Sequence, residues 1–358
     1  MLMINIRNLG PLSDINLELG DKPIYLITGN TNTGKTIFLD TLFSVLYTMI
    51  DVGDDREKAK EVIERFFISK FESFENAIRR NEDHAAISIA DDDVELQIEI
   101  FINKRELRIQ EWNVPEDARE KYVKSLLAVE ARVPISKFLV RAIYRDMVAI
   151  RKGYEQKYVN EYFKLASESF QATEFRYLKK LYNAMRENDA IRRALAPNSA
   201  NINIDLLLID GIPLYQTSAA ILSMFSLTPM FSYNIGGILA VDAIELHLPP
   251  ILQVLCAINL ARWIKHLRIR AENAYENLTL ILVTHSDLIL SGLKLNEKIE
   301  KNPTYGNLII RDGESIAEKD VKAYLFYDGR VEEVSRPFTV PRYIDEISGE
   351  LIRLELED

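Results

Sequence analysis

Apolar and polar residues alternate from the first positions of the chain. Met3-Ile4-Asn5-Ile6-Arg7 and Ile15-Asn16-Leu17-Glu18-Leu19 each have a two-residue period, with Gly10-Pro11 and Ser13-Asp14 between them. That period sends alternate side chains to one face, so the pair reads as a β-hairpin. Pro23-Ile24-Tyr25-Leu26-Ile27 is short and apolar, as a buried strand should be. Beyond it apolar residues recur at helical spacing: Ile37, Leu39, Leu42, Phe43, Leu46 and Tyr47. This predicts helix over residues 37–80, with Asp54, Asp55, Arg56, Glu57, Lys58, Lys60 and Glu61 on its outer face. Alternation returns over residues 86–110 in three runs, parted by Asp91-Asp92-Asp93 and Asn103-Lys104. Those partings are natural turns, and the stretch predicts a three-stranded antiparallel unit.

From Pro115 to about Asn198 the pattern is helical throughout, and no heptad is sustained. A compact helical subdomain fits this better than a coiled-coil arm, and core packing explains most of its aromatics, Tyr158, Tyr162 and Phe163 among them. Residues 202–215 read as strand, and Ser218 to Leu227 as a buried helix. Two more apolar strands follow, Gly237-Ile238-Leu239-Ala240-Val241 and Leu278-Thr279-Leu280-Ile281-Leu282-Val283. The predicted organisation is an α/β fold in three parts: an N-terminal lobe over 1–114, a helical insert over 115–200 and a C-terminal lobe over 201–358.

The loop between the first buried strand and the first helix carries the clearest chemistry. Residues 29–36 read Gly-Asn-Thr-Asn-Thr-Gly-Lys-Thr, the spacing of a phosphate-binding P-loop. Gly29 and Gly34 let the backbone turn tightly, so that N–H groups around Asn30, Thr31, Asn32 and Thr33 converge on phosphate oxygens. Lys35 can reach the outer phosphates as a point charge, and the Thr36 hydroxyl can ligate Mg²⁺. A helix starting there aims its positive end at the same anion. Strand, glycine loop and helix is the context the motif requires, so this is a nucleotide-binding loop.

A second cluster lies in the C-terminal part. The strand beginning at Gly237 ends in Asp242, the form of a Walker B segment, and an acid beside the P-loop can hold the Mg²⁺ that bridges phosphates. The strand beginning at Leu278 ends in Thr284-His285-Ser286. This puts His285 at the strand-end edge where open α/β sheets bind ligands, within reach of a γ-phosphate.

Composition narrows the class. With 358 residues, 47% apolar and 27% charged, the chain can build one large or two ordinary domains. No apolar run approaches the roughly 20 residues that cross a bilayer. The first twenty residues lack a basic-then-apolar leader pattern, so a cytoplasmic protein without membrane insertion is expected. The single cysteine, Cys256, reads as a core residue, and four scattered histidines do not make a zinc cluster of ordinary spacing. The net charge of −10 argues against a surface that coats nucleic acid everywhere. Residues 136–193, however, hold thirteen Lys and Arg against seven acids. That run is either a DNA, RNA or protein-partner face or a solvated helical surface.

The order of P-loop, acid-ended strand with Glu-x-His-x-x-Pro, and Thr-His-Ser resembles the ABC/SMC-like ATPases. It is most similar to the stand-alone AAA-type branch that includes OLD-like and RecF-like proteins. There the acid strand usually continues Asp-Glu-Pro-Glu-x-His-Leu-His-Pro, where this chain has Asp242-Ala243-Ile244-Glu245-Leu246-His247-Leu248-Pro249-Pro250. The opening Ile4 to Gly10 and the tail from Val321 to Phe326, Asp328-Gly329 and Ile344 to Leu356 are similar as well. The resemblance spans about residues 1–50 and 205–358 around a variable helical middle.

It implies an ABC-type head with a mixed sheet, in which Lys35 and Thr36 bind phosphates and Mg²⁺, Asp242 orders the Mg²⁺ shell and His285 is the switch histidine. It also implies a homodimer with ATP at the interface, each site completed by a signature loop from the other copy. The matching segment is Gln216-Thr217-Ser218-Ala219-Ala220, with Ser218 donating to the γ-phosphate. Two positions depart from the pattern. The glutamate that polarises water is replaced by Ala243, and the signature glycine by Ala219. Glu245 is the nearest carboxylate and the candidate substitute catalytic residue. The reading is therefore an ATP-binding, slowly hydrolysing switch in DNA-related maintenance or defence. The alternatives are an inactive nucleotide-binding scaffold and, further off, a transporter's ATP-binding subunit.

Overall fold

The computed structural model describes residues 1–30, 32–123, 238–243, 245, 248–270, 278–309 and 314–338, together with the strand pairing of 127–130, 202–203, 208–209 and 212–213. Two strands open it, β1 (Leu2–Leu9) and β2 (Leu12–Leu19), paired antiparallel with Ile4 opposite Leu17 and Ile6 opposite Ile15. Their alternate residues are buried, as the two-residue period requires. Next comes β3 (Ile24–Gly29), buried at all six positions.

Three helices follow where the sequence pattern predicts one: α1 (Lys35–Val52), α2 (Arg56–Phe71) and the single turn α3 (Phe74–Ala77). The first break is at Gly53, whose N–H bonds the Met49 carbonyl and whose own carbonyl accepts from the Trp112 indole at 2.8 Å. Asp55 then caps α2 by accepting from the Lys58 N–H. Glu72, left-handed at φ 66°, ends α2, and Ser73 caps α3. Local capping thus overrides a helical period that runs on through both breaks.

The three-stranded antiparallel unit is present as β4 (His84–Asp91), β5 (Leu96–Asn103) and β6 (Leu107–Asn113). It is no separate layer, because β4 pairs with β1, Ile4 opposite Ile89 and Ile6 opposite Ile87. After it come α4 (Glu116–Val123), β7 (Leu127–Glu130) and three two-residue strands, β8 (Ile202–Asn203), β9 (Leu208–Ile209) and β10 (Ile212–Pro213), which form a small sheet of their own. Here β7 corrects the reading of 115–198 as helical throughout. Leu127–Glu130 pairs in parallel with a later strand, and four apolar-rich residues carry too little period to tell strand from helix. The rest of that helical segment, including the basic run, lies outside the described residues, as do Ser218 to Leu227 and the tail from Ile344.

The C-terminal part contributes β11 (Ile238–Asp242), α5 (Pro250–Arg270), β12 (Thr279–Val283), α6 (Asp287–Glu300), β13 (Val321–Tyr327) and β14 (Arg330–Val334). Among the described residues its four strands join one eleven-stranded sheet in the order β6-β5-β4-β1-β2-β14-β13-β3-β12-β11-β7. From β13 to β7 the strands are parallel, and β3, β12 and β11 are buried throughout, which explains their unbroken apolar runs. Helix α1 contributes Phe38, Leu42, Leu46 and Met49 to the core, with the Phe38 ring 5.6 Å from that of Phe326.

One polar node is buried in this frame. The Asp91 side chain, 0% exposed at the end of β4, accepts from Lys121 Nζ at 2.6 Å and from the Tyr122 hydroxyl, tying α4 to the sheet. Burial pushes this carboxyl up, but hydrogen bonds from Lys121, Tyr122 and the Met1 amine outweigh it and hold it below the usual aspartate value. A depressed carboxylate stabilises the fold above its unfolded pKa, and the contribution is lost as pH falls through the folded one. Asp91→Asn is therefore expected to cost about 2–3 kcal/mol at neutral pH. Urea denaturation should show the gap to wild type closing only below the ordinary aspartate range.

Candidate nucleotide-binding site

Strand order builds the site. With β12 on one side and β13 on the other, β3 delivers its last residue, Gly29, to the carboxyl edge of a parallel sheet. The chain then turns through Asn32 at φ 65° and Gly34 at φ 97° into α1, whose first helical bond runs from the Phe38 N–H to the Gly34 carbonyl. Lys35, only 3% exposed, folds back over the loop. Its Nζ donates to the carbonyls of Gly29 (2.8 Å) and Asn30 (2.6 Å) and to Thr33 Oγ1 (3.1 Å). Thr33 Oγ1 in turn donates to the Asn30 carbonyl at 2.9 Å.

Asp242 arrives from a strand that is not the immediate neighbour of β3, since β12 lies between them. The buried carboxylate still meets the loop: Thr36 Oγ1 donates to Asp242 Oδ2 at 2.8 Å, across 206 residues of sequence. A hydroxyl and a carboxylate are hard oxygen donors that fit Mg²⁺. Among the described residues no group of three or more His, Cys, Asp or Glu is placed to hold a metal.

His285 follows β12 and lies at the same edge. Its Nδ1 is 3.0 Å from the Gly29 carbonyl, and because a carbonyl only accepts, Nδ1 carries the proton. Gly29 O therefore receives both the ammonium of Lys35 and the ring of His285.

Past Asp242 the chain bends at Ala243, buried and left-handed at φ 56°, whose N–H bonds the Val283 carbonyl. The bend carries Glu245 toward the end of β12. Its Oε2 accepts from Thr284 Oγ1 at 2.9 Å and its Oε1 from the His285 backbone N–H at 2.7 Å. Gln253 on α5 donates from Nε2 to the carbonyls of Glu245 (3.1 Å) and Leu248 (2.8 Å), and accepts from Ser286 Oγ at 3.1 Å. Ser286 also caps α6, taking the Leu288 N–H at 3.2 Å.

The structure thus gathers Gly29, Asn30, Asn32, Thr33, Gly34, Lys35, Thr36, Asp242, Glu245 and His285 at one sheet edge. Thr31 and Ser218 lie outside the described residues. Gln253 escaped the sequence reading, because a single Gln inside an apolar helix carries no pattern. Cys256 sits half-buried on α5, where desolvation pushes its thiol up to about 12.

A glycine loop after a buried parallel strand, its lysine, a threonine–aspartate pair and a strand-end histidine define a P-loop ATPase domain. The model of a family described as "AAA domain" matches residues 3–205, more than half of the chain, and the protein belongs to that family. It binds ATP and is of the ATP-hydrolase type. Among solved structures it is similar to the recombination mediator protein RecF, at 12% identity over 94% of this chain and 98% of that one, TM-score 0.43. The Smc head domain of Pyrococcus furiosus, bound to the C-terminal domain of ScpA, matches at 12% identity over 99% and 100%, TM-score 0.44. The SMC head domain from Thermotoga maritima matches at 10% over 93% and 97%, TM-score 0.40. The search of curated proteins gives no match. Among the described residues no helix is long and apolar enough to cross a membrane.

Proposed function

We propose that this protein is a Mg²⁺-dependent ATP switch that hydrolyses its nucleotide slowly and closes as a homodimer around it. The convergence of Lys35 and His285 on the Gly29 carbonyl, beside the Thr36–Asp242 pair, carries this reading. Lys35 would turn its ammonium from the loop carbonyls to the outer phosphates. Thr36 and Asp242 would hold Mg²⁺, which neutralises charge between the phosphates. A phosphate oxygen only accepts, so a direct contact from His285 Nε2 requires the doubly protonated ring, Nδ1–H being engaged by Gly29. Ser218 of the second copy would complete the site by donating to the γ-phosphate. The basic run over 136–193 is the proposed contact for DNA or RNA, and the DNA-related maintenance or defence role is the one the family resemblance implies. Binding there should weaken steeply with salt.

A specific observation favours a second reading, an inactive nucleotide-binding scaffold. Ala243 offers no carboxylate, and both oxygens of Glu245 already accept hydrogen bonds. Steady-state turnover measured beside size-exclusion chromatography, each with and without Mg-ATP, separates the two. Turnover with an ATP-dependent dimer is expected. Tight Mg-ATP binding without turnover would identify the scaffold, and no nucleotide binding at all would overturn both readings.

A further inference from the structure

We propose that Glu245 is a positioning residue that holds the switch histidine against the P-loop, rather than the general base that takes a proton from the attacking water. This rests on the ATP-switch reading above and gives a role to a carboxylate at the same sheet edge.

At Ala243 the backbone takes a left-handed turn that non-glycine residues rarely adopt, and this buried bend brings Glu245 to the end of β12. There the carboxylate takes two donors that belong to the switch segment, the Thr284 hydroxyl and the His285 N–H. Thr284 is 0% exposed, so its hydroxyl has no water to fall back on. The same hydroxyl accepts from the Ser286 N–H at 2.9 Å. Ser286 reaches Gln253, and Gln253 returns to the Glu245 carbonyl, closing a ring of hydrogen bonds around the segment. The only residue of Thr284-His285-Ser286 whose side chain leaves this ring is His285, and its ring meets Gly29 O.

A ring of this kind fixes one backbone geometry, because each member satisfies the next. With the segment fixed, Nδ1 stays on the loop carbonyl, and Nε2 keeps a constant position relative to the bound phosphates. The chemistry asks Glu245 for two acceptor positions, not for a proton. Glutamine keeps the acceptor oxygen for the His285 N–H and reverses the second contact, its amide N–H donating to the Thr284 oxygen, whose own proton then loses its acceptor. A general base has no such tolerance, since an amide cannot take the proton.

The test compares Glu245→Ala and Glu245→Gln with wild type. The readout is the affinity of fluorescent ATP and ADP analogues with Mg²⁺, with turnover as a second measurement. Wild type is expected to prefer ATP. Glu245→Ala should lose about tenfold of that preference, with ADP affinity unchanged, in line with the loss of a hydrogen bond that orients a ligand group. Glu245→Gln, which keeps the acceptor for the His285 N–H, should recover part of it. Turnover equally abolished in both variants, with ATP preference intact, would make Glu245 the base and overturn the proposal. ADP affinity falling in parallel with ATP affinity would make it merely structural, which also overturns it. A wild type that binds both nucleotides equally has no γ-phosphate reader to position, and the inference fails while nucleotide binding stands. A wild type that binds neither ends the ATP-switch reading itself.

Discussion

Lys35→Ala is expected to lower Mg-ATP affinity about a hundredfold and bring turnover to background, while the fold stands. The size follows from the loss of charge-assisted contacts to phosphate, each worth about 1.5–3 kcal/mol. That the fold survives follows from the acceptors Lys35 leaves behind. The Gly29 carbonyl keeps the His285 ring, and the Asn30 carbonyl keeps the Thr33 hydroxyl. Neither is stranded, and a nearly buried ammonium no longer has to be desolvated. Melting temperature should therefore move little while binding collapses. Lys35→Arg should not restore it. The planar guanidinium is larger and cannot place one atom within reach of two carbonyls and a hydroxyl, as the lysine ammonium does. A Lys35→Ala protein that binds ATP like wild type would remove the P-loop from the mechanism.

The contrast between Lys35 and Glu245 shows which parts of this site a sequence discloses. The P-loop is legible because one covalent stretch holds strand, turn and helix, and each piece bears its own signal. The strands β3, β11 and β12 are legible as apolar runs, and the strand-end positions of Asp242 and His285 come with them. Lateral order is not a local property. Nothing in the residues of β12 says that it separates β11 from β3, and the Thr36–Asp242 contact forms across that interval only through side-chain reach. The four residues of β7 are lost inside a helical pattern because their strand identity comes from pairing with Leu239–Asp242. Glu245 is legible as the nearest carboxylate, but the way it points is hidden for a different reason. Its direction depends on a left-handed alanine, a conformation that composition argues against and that tertiary contacts impose. The same holds for Glu72, where a left-handed non-glycine residue ends α2.

Gly29→Ala is expected to prevent folding rather than merely weaken phosphate binding, although a P-loop glycine is ordinarily read as room for a ligand. Gly29 is the last residue of β3 and pairs with Phe326 of β13 in the parallel ladder. A Cβ there would overlap the Phe326 carbonyl oxygen and stand 3.0 Å from its carbonyl carbon and 3.1 Å from its nitrogen. These are backbone atoms of a central strand, fixed by β3 on one side and β14 on the other, so they cannot yield without breaking register. The backbone at φ 135° is also closed to residues with a side chain. Overlap and strain together should exceed about 4 kcal/mol, a large share of the stability of an ordinary domain. Gly34→Ala serves as the internal control. Its Cβ would meet the Leu12 side chain, 3.0 Å from Cγ, and Pro11 Cγ at 3.1 Å, atoms that can shift by rotamer change and ring pucker. At φ 97° it still carries backbone strain, so a smaller loss of about 2 kcal/mol is expected, with folded protein recovered. Soluble yield and chemical denaturation of the two variants decide the matter. If Gly29→Ala folds with near wild-type stability but no longer binds nucleotide, the glycine serves the phosphate and not the sheet. If it fails to fold while Gly34→Ala folds, the first glycine of the loop belongs to the packing of β3 against β13, and the nucleotide site is built on a position the sheet already requires.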